Sequence, residues 1–489
     1  MLVAIPSGAP KARSRGTTGV AEFHSADEDL SMPDLTLTSD DLAPVVARLQ
    51  PVNAELTRRY PGESGARQPV HVVYGGAQLF AADTVPKLGQ LGRRAMDEYA
   101  PSASALAEAI GLPSSASPLA TRVHERVKAK LQREAVEDFR IDYEDGYGVR
   151  PDAEEDGHAE AGAHQVAKGM RENTLSPFIG IRVKPLTAEL HARSLRTLDI
   201  FLTTLVGDAG RLPERFFITL PKISAVEQVT AFVDVVEQLE RRLKLAAGSL
   251  VFEAMVETPQ LIIDHTGRSL LPAIIDAGRG RLIAAHFGTY DYTASLNITA
   301  AYQRMRHVAC DFVRSAMQVA LAGTGIWLSD GSTTVMPVPI HRLAKDGPAL
   351  TPAQVEENRA SVHNAWRMHY DDVRHSLASG FYQGWDLHPA QLVTRYAAVY
   401  AFFLTGLEQQ GARLRNFVER AAQATLVGDV FDDAATGQGL LNFFFRAINC
   451  GAVTEEEAVA MTGVTLDELR GRSFVRILQK RRGTVSVNA

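Results

Sequence analysis

The sequence predicts an α/β fold, a (β/α)8 TIM barrel with an N-terminal extension and a C-terminal helical region. Three observations carry that reading. Eight short apolar runs bounded by Gly or Pro read as strands buried on both faces. Most of them are separated by helical patterns within one continuous region. No glycine-rich phosphate fingerprint follows the first run, which argues against an open doubly wound sheet.

In chain order, residues 1–35 are rich in Ser, Gly, Ala and Pro and are expected to form a disordered tail. Residues 36–395 are expected to form the catalytic barrel, and 396–489 a helical region capping it or a neighbouring subunit. Ser39-Asp-Asp is expected to cap a helix through Leu42, Val45, Val46 and Leu49. The first strand is His71–Gly76, closed by a double glycine. Helices follow over Val85–Tyr99 and Ala120–Glu137. The second strand is Phe139–Asp145, the third Phe178–Lys184 and the fourth Phe216–Lys222, followed by a strongly periodic helix over Val226–Leu243.

The fifth and sixth strands run from Leu250 to Glu257 and from Leu282 to Asp291, with about a helix's worth of chain between them. The seventh lies near Ile326–Asp330 and the eighth over Gly380–Pro389. Beyond it, helices are predicted over Leu392–Leu407, Leu414–Ala424, Gly439–Ile448 and Thr465–Lys480, and Thr454-Glu-Glu-Glu is a helix-start signal.

Composition narrows the functional classes. A net charge of −6 gives no general reason to expect nucleic-acid or anionic-membrane binding. Cys310 and Cys450 lie far apart without a CxxC, so neither zinc nor a disulfide framework is indicated, and a reducing cytoplasm fits. No apolar stretch reaches membrane-span length, and the first residues lack a signal-peptide pattern.

The chemistry is expected where polar residues end the buried runs. These are Asp142, Glu144 and Asp145, then Arg182 and Lys184, Lys222, Glu257, Asp291, and finally Asp386 and His388. A right-handed crossover brings Glu257 and Asp291 to the same edge of the sheet. Two such carboxylates repel unless a proton or a cation lies between them. That cation is either a nearby Arg or Lys or a hard metal ion, Mg²⁺ or Mn²⁺, because no soft ligand set accompanies them. Arg182 and Lys222, with Lys184 and His388, are the candidate substrate-binding residues, and the guanidinium suits a small anionic substrate.

Asp142-Tyr-Glu-Asp145, Arg182-Val, Pro221-Lys222, Glu257-Thr258, Gly288-Thr-Tyr-Asp291 and Leu387-His388-Pro389-Ala-Gln391 come in the order and spacing of a known group. The sequence resembles the citrate lyase beta-subunit-like enzymes, which belong with the HpcH/HpaI aldolases among the phosphoenolpyruvate/pyruvate-binding barrels. The resemblance covers roughly residues 70–435. It implies a Mg²⁺-dependent carbon–carbon lyase or aldolase acting on a small 2-keto acid or acyl-CoA substrate through a metal-stabilised enolate. It also implies a homo-oligomer, trimer or hexamer.

Carried over by position, Glu257 and Asp291 would hold the metal and Arg182 would clamp the keto acid. Glu144 and Asp145 would be outer or water-mediated partners of the metal. Asp433, with Asp432 beside it, falls in a segment where related enzymes carry an Asp over the pocket, and is the candidate acid–base group; a helix cap before Ala434 is the other reading. Lys184 stands where the lyase group usually has Asn, and Val-Tyr-Gly-Gly in the first strand lacks the Pro-Gly turn common there. Two other readings of the barrel stay open, a phosphoenolpyruvate-directed phosphotransferase and a non-catalytic keto-acid-binding protein.

Overall fold

Eight parallel strands close into a barrel in chain order: β1 (His71–Gly76), β2 (Asp138–Asp142), β3 (Phe178–Arg182), β4 (Phe216–Leu220), β5 (Val251–Val256), β6 (Leu282–Phe287), β7 (Trp327–Ser332) and β8 (Gln383–Asp386). Closure is made by β1, which pairs with β2 on one side and with β8 on the other. The computed structural model describes residues 36–113, 117–343, 348–419, 425–427, 430–432, 434–471, 473–474 and 476–477. The chain divides into two units, Met1–Arg58 and Arg59–Ala489. The predicted tail, residues 1–35, lies outside the described residues. The helix Ser39–Arg59, which lies in the first unit save for its last residue, is capped by Thr38, one residue earlier than expected: Thr38 Oγ1 accepts from Asp41 N while the Asp41 carboxylate accepts from Thr38 N.

Strand alternation sorts the barrel interior into layers. At the N-terminal end Phe178, Phe217 and Trp327 pack with ring centroids 5.9 to 6.4 Å apart. Above them a buried ionic layer joins strands β2, β4, β5 and β6. Arg140 Nη2 lies 2.7 Å from Glu253, Thr219 Oγ1 donates to Glu253 at 2.9 Å, and His286 Nε2 is 3.2 Å away. The topmost layer contains Tyr74, Asp142, Arg182, Met255 and Trp385. Outward-facing residues pack against the helices, as Phe252 does edge-on to Phe232 at 5.3 Å.

The departures from the predicted elements are mostly at strand ends, for local reasons. β2 stops at Asp142 because its carboxylate accepts from Glu144 N and Gly146 N, folding the next residues into a turn. β6 stops at Phe287, and Thr289–Ser295 is helical, so Asp291 sits in the first turn of a helix and not on the strand. The β5–β6 crossover holds two short helices, Pro259–Ile262 and Leu271–Ala277, where one was expected. Helix Val226–Leu243 matches its predicted span, and Thr454 forms the expected capping box with Glu457. After β8 come helices Gln391–Leu404, Leu407–Glu419, Ala434–Asn449, Glu455–Thr462 and Leu466–Gly471. An antiparallel ribbon, Thr425–Val427 with Val430–Asp432, was not anticipated. Among the described residues no helix is long and apolar enough to cross a membrane.

Gly180 on β3 marks how tightly the barrel closes. A Cβ there would come within 1.8 Å of the Phe217 carbonyl oxygen, a backbone atom that cannot swing away. Gly180→Ala is expected to cost about 2 kcal/mol or more, in the range of overpacked cores. Chemical denaturation would show this as a lowered midpoint, and an unchanged midpoint would contradict the close approach.

Candidate active site

At the C-terminal mouth of the barrel, Arg182 is the pivot. It closes β3, faces inward with Phe178 and Gly180, and is only 1% exposed. Its Nε and Nη2 donate to Asp142 Oδ1 and Oδ2 at 2.7 and 2.6 Å, a two-pronged fork between adjacent strands. Its plane is held by two rings, Tyr74 at 4.8 Å and Trp385 at 5.3 Å from Cζ. The remaining nitrogen, Nη1, lies 2.8 Å from Glu144 Oε2 without the alignment of a hydrogen bond. Burial opposes the charge on Arg182, but Asp142 and Glu144 hold it well above its ordinary pKa.

The second cation is Lys222, which follows β4 through Pro221. Its backbone has φ of 50°, a left-handed conformation, and its N–H donates to Glu257 Oε1 at 2.7 Å. Its ammonium donates to Glu144 and lies 3.2 Å from Asp291 Oδ2 and 3.5 Å from Asp145. Burial works against the ammonium, yet Glu257 and Glu144 raise its pKa. Glu257 is 1% exposed; burial, Glu144 and Asp291 push its carboxyl up to about 8 against the pull of Lys222. Glu144 is likewise raised, by burial first and Asp145 next, with Arg182 and Lys222 opposing. Gly288 makes room for the arrangement, since a Cβ there would lie 2.3 Å from Glu257 Oε2.

The predicted residues thus divide. Glu144, Asp145, Arg182, Lys222, Glu257 and Asp291 come together. Lys184 does not join them: its ammonium donates to the Tyr143 carbonyl, lies 2.9 Å from Glu155 and sits over the Tyr147 ring, 4.9 Å from its centroid. His388 Nδ1 accepts from Ala390 N at 3.2 Å, fixing the turn whose other N–H groups bond Gln391. Asp386, expected in the mouth, points outward. It is bonded by His369 at 3.0 Å and Arg395 at 2.7 Å, because alternation along β8 turns Trp385 inward instead. Asp433 lies outside the described residues, and Asp432 closes the ribbon by pairing with Thr425. Tyr74 and Trp385 were not among the predicted residues, though counting by twos from Gln383 would have found the tryptophan. A cavity of about 630 Å³, lined by Gln68, Leu328, Tyr382 and Arg446, lies at the opposite end of the barrel and is not this site.

Two carboxylates at neighbouring loops, Glu257 and Asp291, both beside Lys222, are the kind of oxygen donors by which Mg²⁺ is held, and that ion needs only one or two protein carboxylates. Among the described residues no three His, Cys, Asp or Glu side chains converge into a complete metal cage.

Fold and site together define a (β/α)8 barrel with an acidic mouth. The chain belongs to the family described as Domain of unknown function (DUF6986), whose model matches residues 49–477. No curated protein matches the sequence. Among solved structures it is similar to a citrate lyase from Burkholderia xenovorans, at 20% identity and a TM-score of 0.50 over 69% of this chain and 91% of that one. A malate synthase from Haloferax volcanii in a magnesium/glyoxylate complex shares 13% identity over 67% of this chain and 74% of that one, with a TM-score of 0.43. CitE from Mycobacterium tuberculosis with magnesium, acetoacetate and coenzyme A shares 15% identity over 79% and 99%, also at 0.43. The first of these shows the fold; the other two are too distant to add to it.

The fork predicts unequal effects within one acidic loop. Asp142→Ala strands a buried guanidinium and should destabilise by about 3 kcal/mol or more. Asp145, 59% exposed at its side chain, should tolerate Ala within about 0.5 kcal/mol. Urea titrations of the two variants would check the contrast.

Proposed function

We propose that the chain is a Mg²⁺- or Mn²⁺-dependent carbon–carbon lyase or aldolase acting on a small 2-keto acid or acyl-CoA substrate. One observation carries the reading. Five carboxylates (Asp142, Glu144, Asp145, Glu257, Asp291) meet two cations (Arg182, Lys222) at the barrel mouth. With every carboxylate ionised, three negative charges would be left over, and the raised pKa of Glu257 reflects that excess. Such an excess in a half-buried site favours a divalent cation and disfavours an anionic substrate unless that cation is present. The position of the site, at the C-terminal ends of the strands, is where barrels of this kind place their chemistry.

Glu257 and Asp291 would hold the ion, which would supply stabilisation of negative charge developing on the substrate. Arg182 binds the substrate carboxylate through Nη1, its orientation already fixed by the Asp142 fork and the flanking rings. Lys222 keeps Glu144 in place and screens it from Asp291. Asp433 is assigned the acid–base step on the strength of the sequence resemblance, and would exchange a proton at its carboxylate oxygen. The homo-oligomer belongs to the same reading.

Three measurements test it. Calorimetry should find Mg²⁺ binding to the wild-type chain and none to Asp291→Ala, and turnover of oxaloacetate or a related acid to pyruvate should stop in excess EDTA. Full activity in EDTA would sink the proposal. Arg182→Lys loses the planar fork, and kcat/KM should fall about 10²-fold or more. Asp433→Asn should lower kcat by about 10²-fold with an unchanged melting temperature, whereas a simple helix cap would leave turnover intact.

A further inference from the structure

Two buried donors at the barrel mouth make no aligned hydrogen bond. One is Arg182 Nη1, which lies 2.8 Å from Glu144 Oε2 and 3.5 Å from Asp145 Oδ2 as an ion pair only. The other is Trp385 Nε1, which has no hydrogen-bond partner among the described residues. Both belong to one packed group: the Trp385 ring lies 4.2 Å from that of Tyr74 and 5.3 Å from Arg182 Cζ. The contrast with Trp366 is informative, because that buried indole donates to the Ala390 carbonyl at 2.8 Å. Buried indole N–H groups ordinarily find a partner. Packing against Tyr74, at a 44° tilt, and covering Arg182 need only a ring, which phenylalanine would supply without an unpaired donor. The N–H of Trp385 therefore calls for an acceptor brought from outside.

We propose that Trp385 is a substrate-contacting residue, its Nε1–H donating to one oxygen of the substrate carboxylate while Arg182 Nη1 donates to the other. This rests on the keto-acid reading of the site. Two donors from different strands, β3 and β8, fix the plane of the carboxylate as well as its charge. Tyr74 acts as a positioning residue, holding the Trp385 indole and the guanidinium in register. The pocket then favours a free carboxylate over an amide or ester, which offers no second anionic oxygen.

The test uses the full chain with Mg²⁺ and titrates pyruvate and oxaloacetate by calorimetry into wild type and Trp385→Phe, with melting temperatures measured without ligand. Losing one hydrogen bond to a charged group should weaken binding about tenfold. The ligand-free melting temperature should stay the same or rise, since no protein partner is lost. Equal affinity in the variant overturns the assignment, as does a ligand-free melting temperature lowered by several degrees, which would reveal a partner within the fold. Wild type that binds neither acid overturns the keto-acid reading and this assignment together, whereas binding by wild type with equal binding by the variant overturns the assignment alone. A measurement on the unaltered chain stands beside the variant: of the three indole N–H resonances in ¹⁵N spectra, one should shift on adding pyruvate, and three unmoved resonances would overturn the proposal.

Discussion

The fork between Asp142 and Arg182 is the interaction on which the mouth of the barrel depends. It spans two adjacent strands whose last paired residues are these two, so it fixes their register as well as their ends. The same carboxylate then receives the amides of Glu144 and Gly146 and shapes the turn that presents Glu144. With Arg182 pinned from one edge by Asp142 and on its faces by Tyr74 and Trp385, a single guanidinium nitrogen stands outside the fork, facing Glu144. Such preorganisation matters because a loosely held arginine would have to be ordered each time a ligand bound.

Below that layer the interior is unusually polar for a packed barrel. Burial opposes ionisation of Glu253, but Arg140 and His286 hold it far below the usual carboxylate range. Burial pushes the neighbouring Asp138 up to about 6 despite Arg140. Arg140 is shared there between Asp138 and Glu253. At the mouth acids again outnumber cations, and each of the two cations serves more than one carboxylate. The elevated pKa of Glu257 is the local expression of that imbalance: a carboxylate that cannot share a cation fully retains affinity for a proton.

The left-handed residue at Lys222 and the missing side chain at Gly288 show how the backbone serves the same end. Lys222 accepts an uncommon conformation that directs its amide to Glu257 while its side chain reaches back to Glu144. Gly288 lets the Glu257 carboxylate lie against the loop that follows β6. Both positions trade local freedom for a carboxylate held at a defined place, and strained or crowded backbone of this kind concentrates where ligands are handled.

The sequence by itself determined the barrel and most of the converging residues. Apolar runs mark strands, the periodic stretch Val226–Leu243 marks a helix, and polar residues at strand ends announce one face of the barrel, since parallel strands share their direction. Sequence patterns of this kind are local, so they hold wherever neighbouring residues decide the outcome. They fail where a partner far along the chain decides it. Nothing local distinguishes Lys184 from Arg182, yet Glu155 claims the first and Asp142 the second. Asp386 and Trp385 are adjacent in sequence, and only the pleat of β8 against helices carrying His369 and Arg395 sends the acid outward and the indole into the mouth. The tertiary structure alone decided which charges cancel, because that depends on distances between strands that no linear spacing encodes.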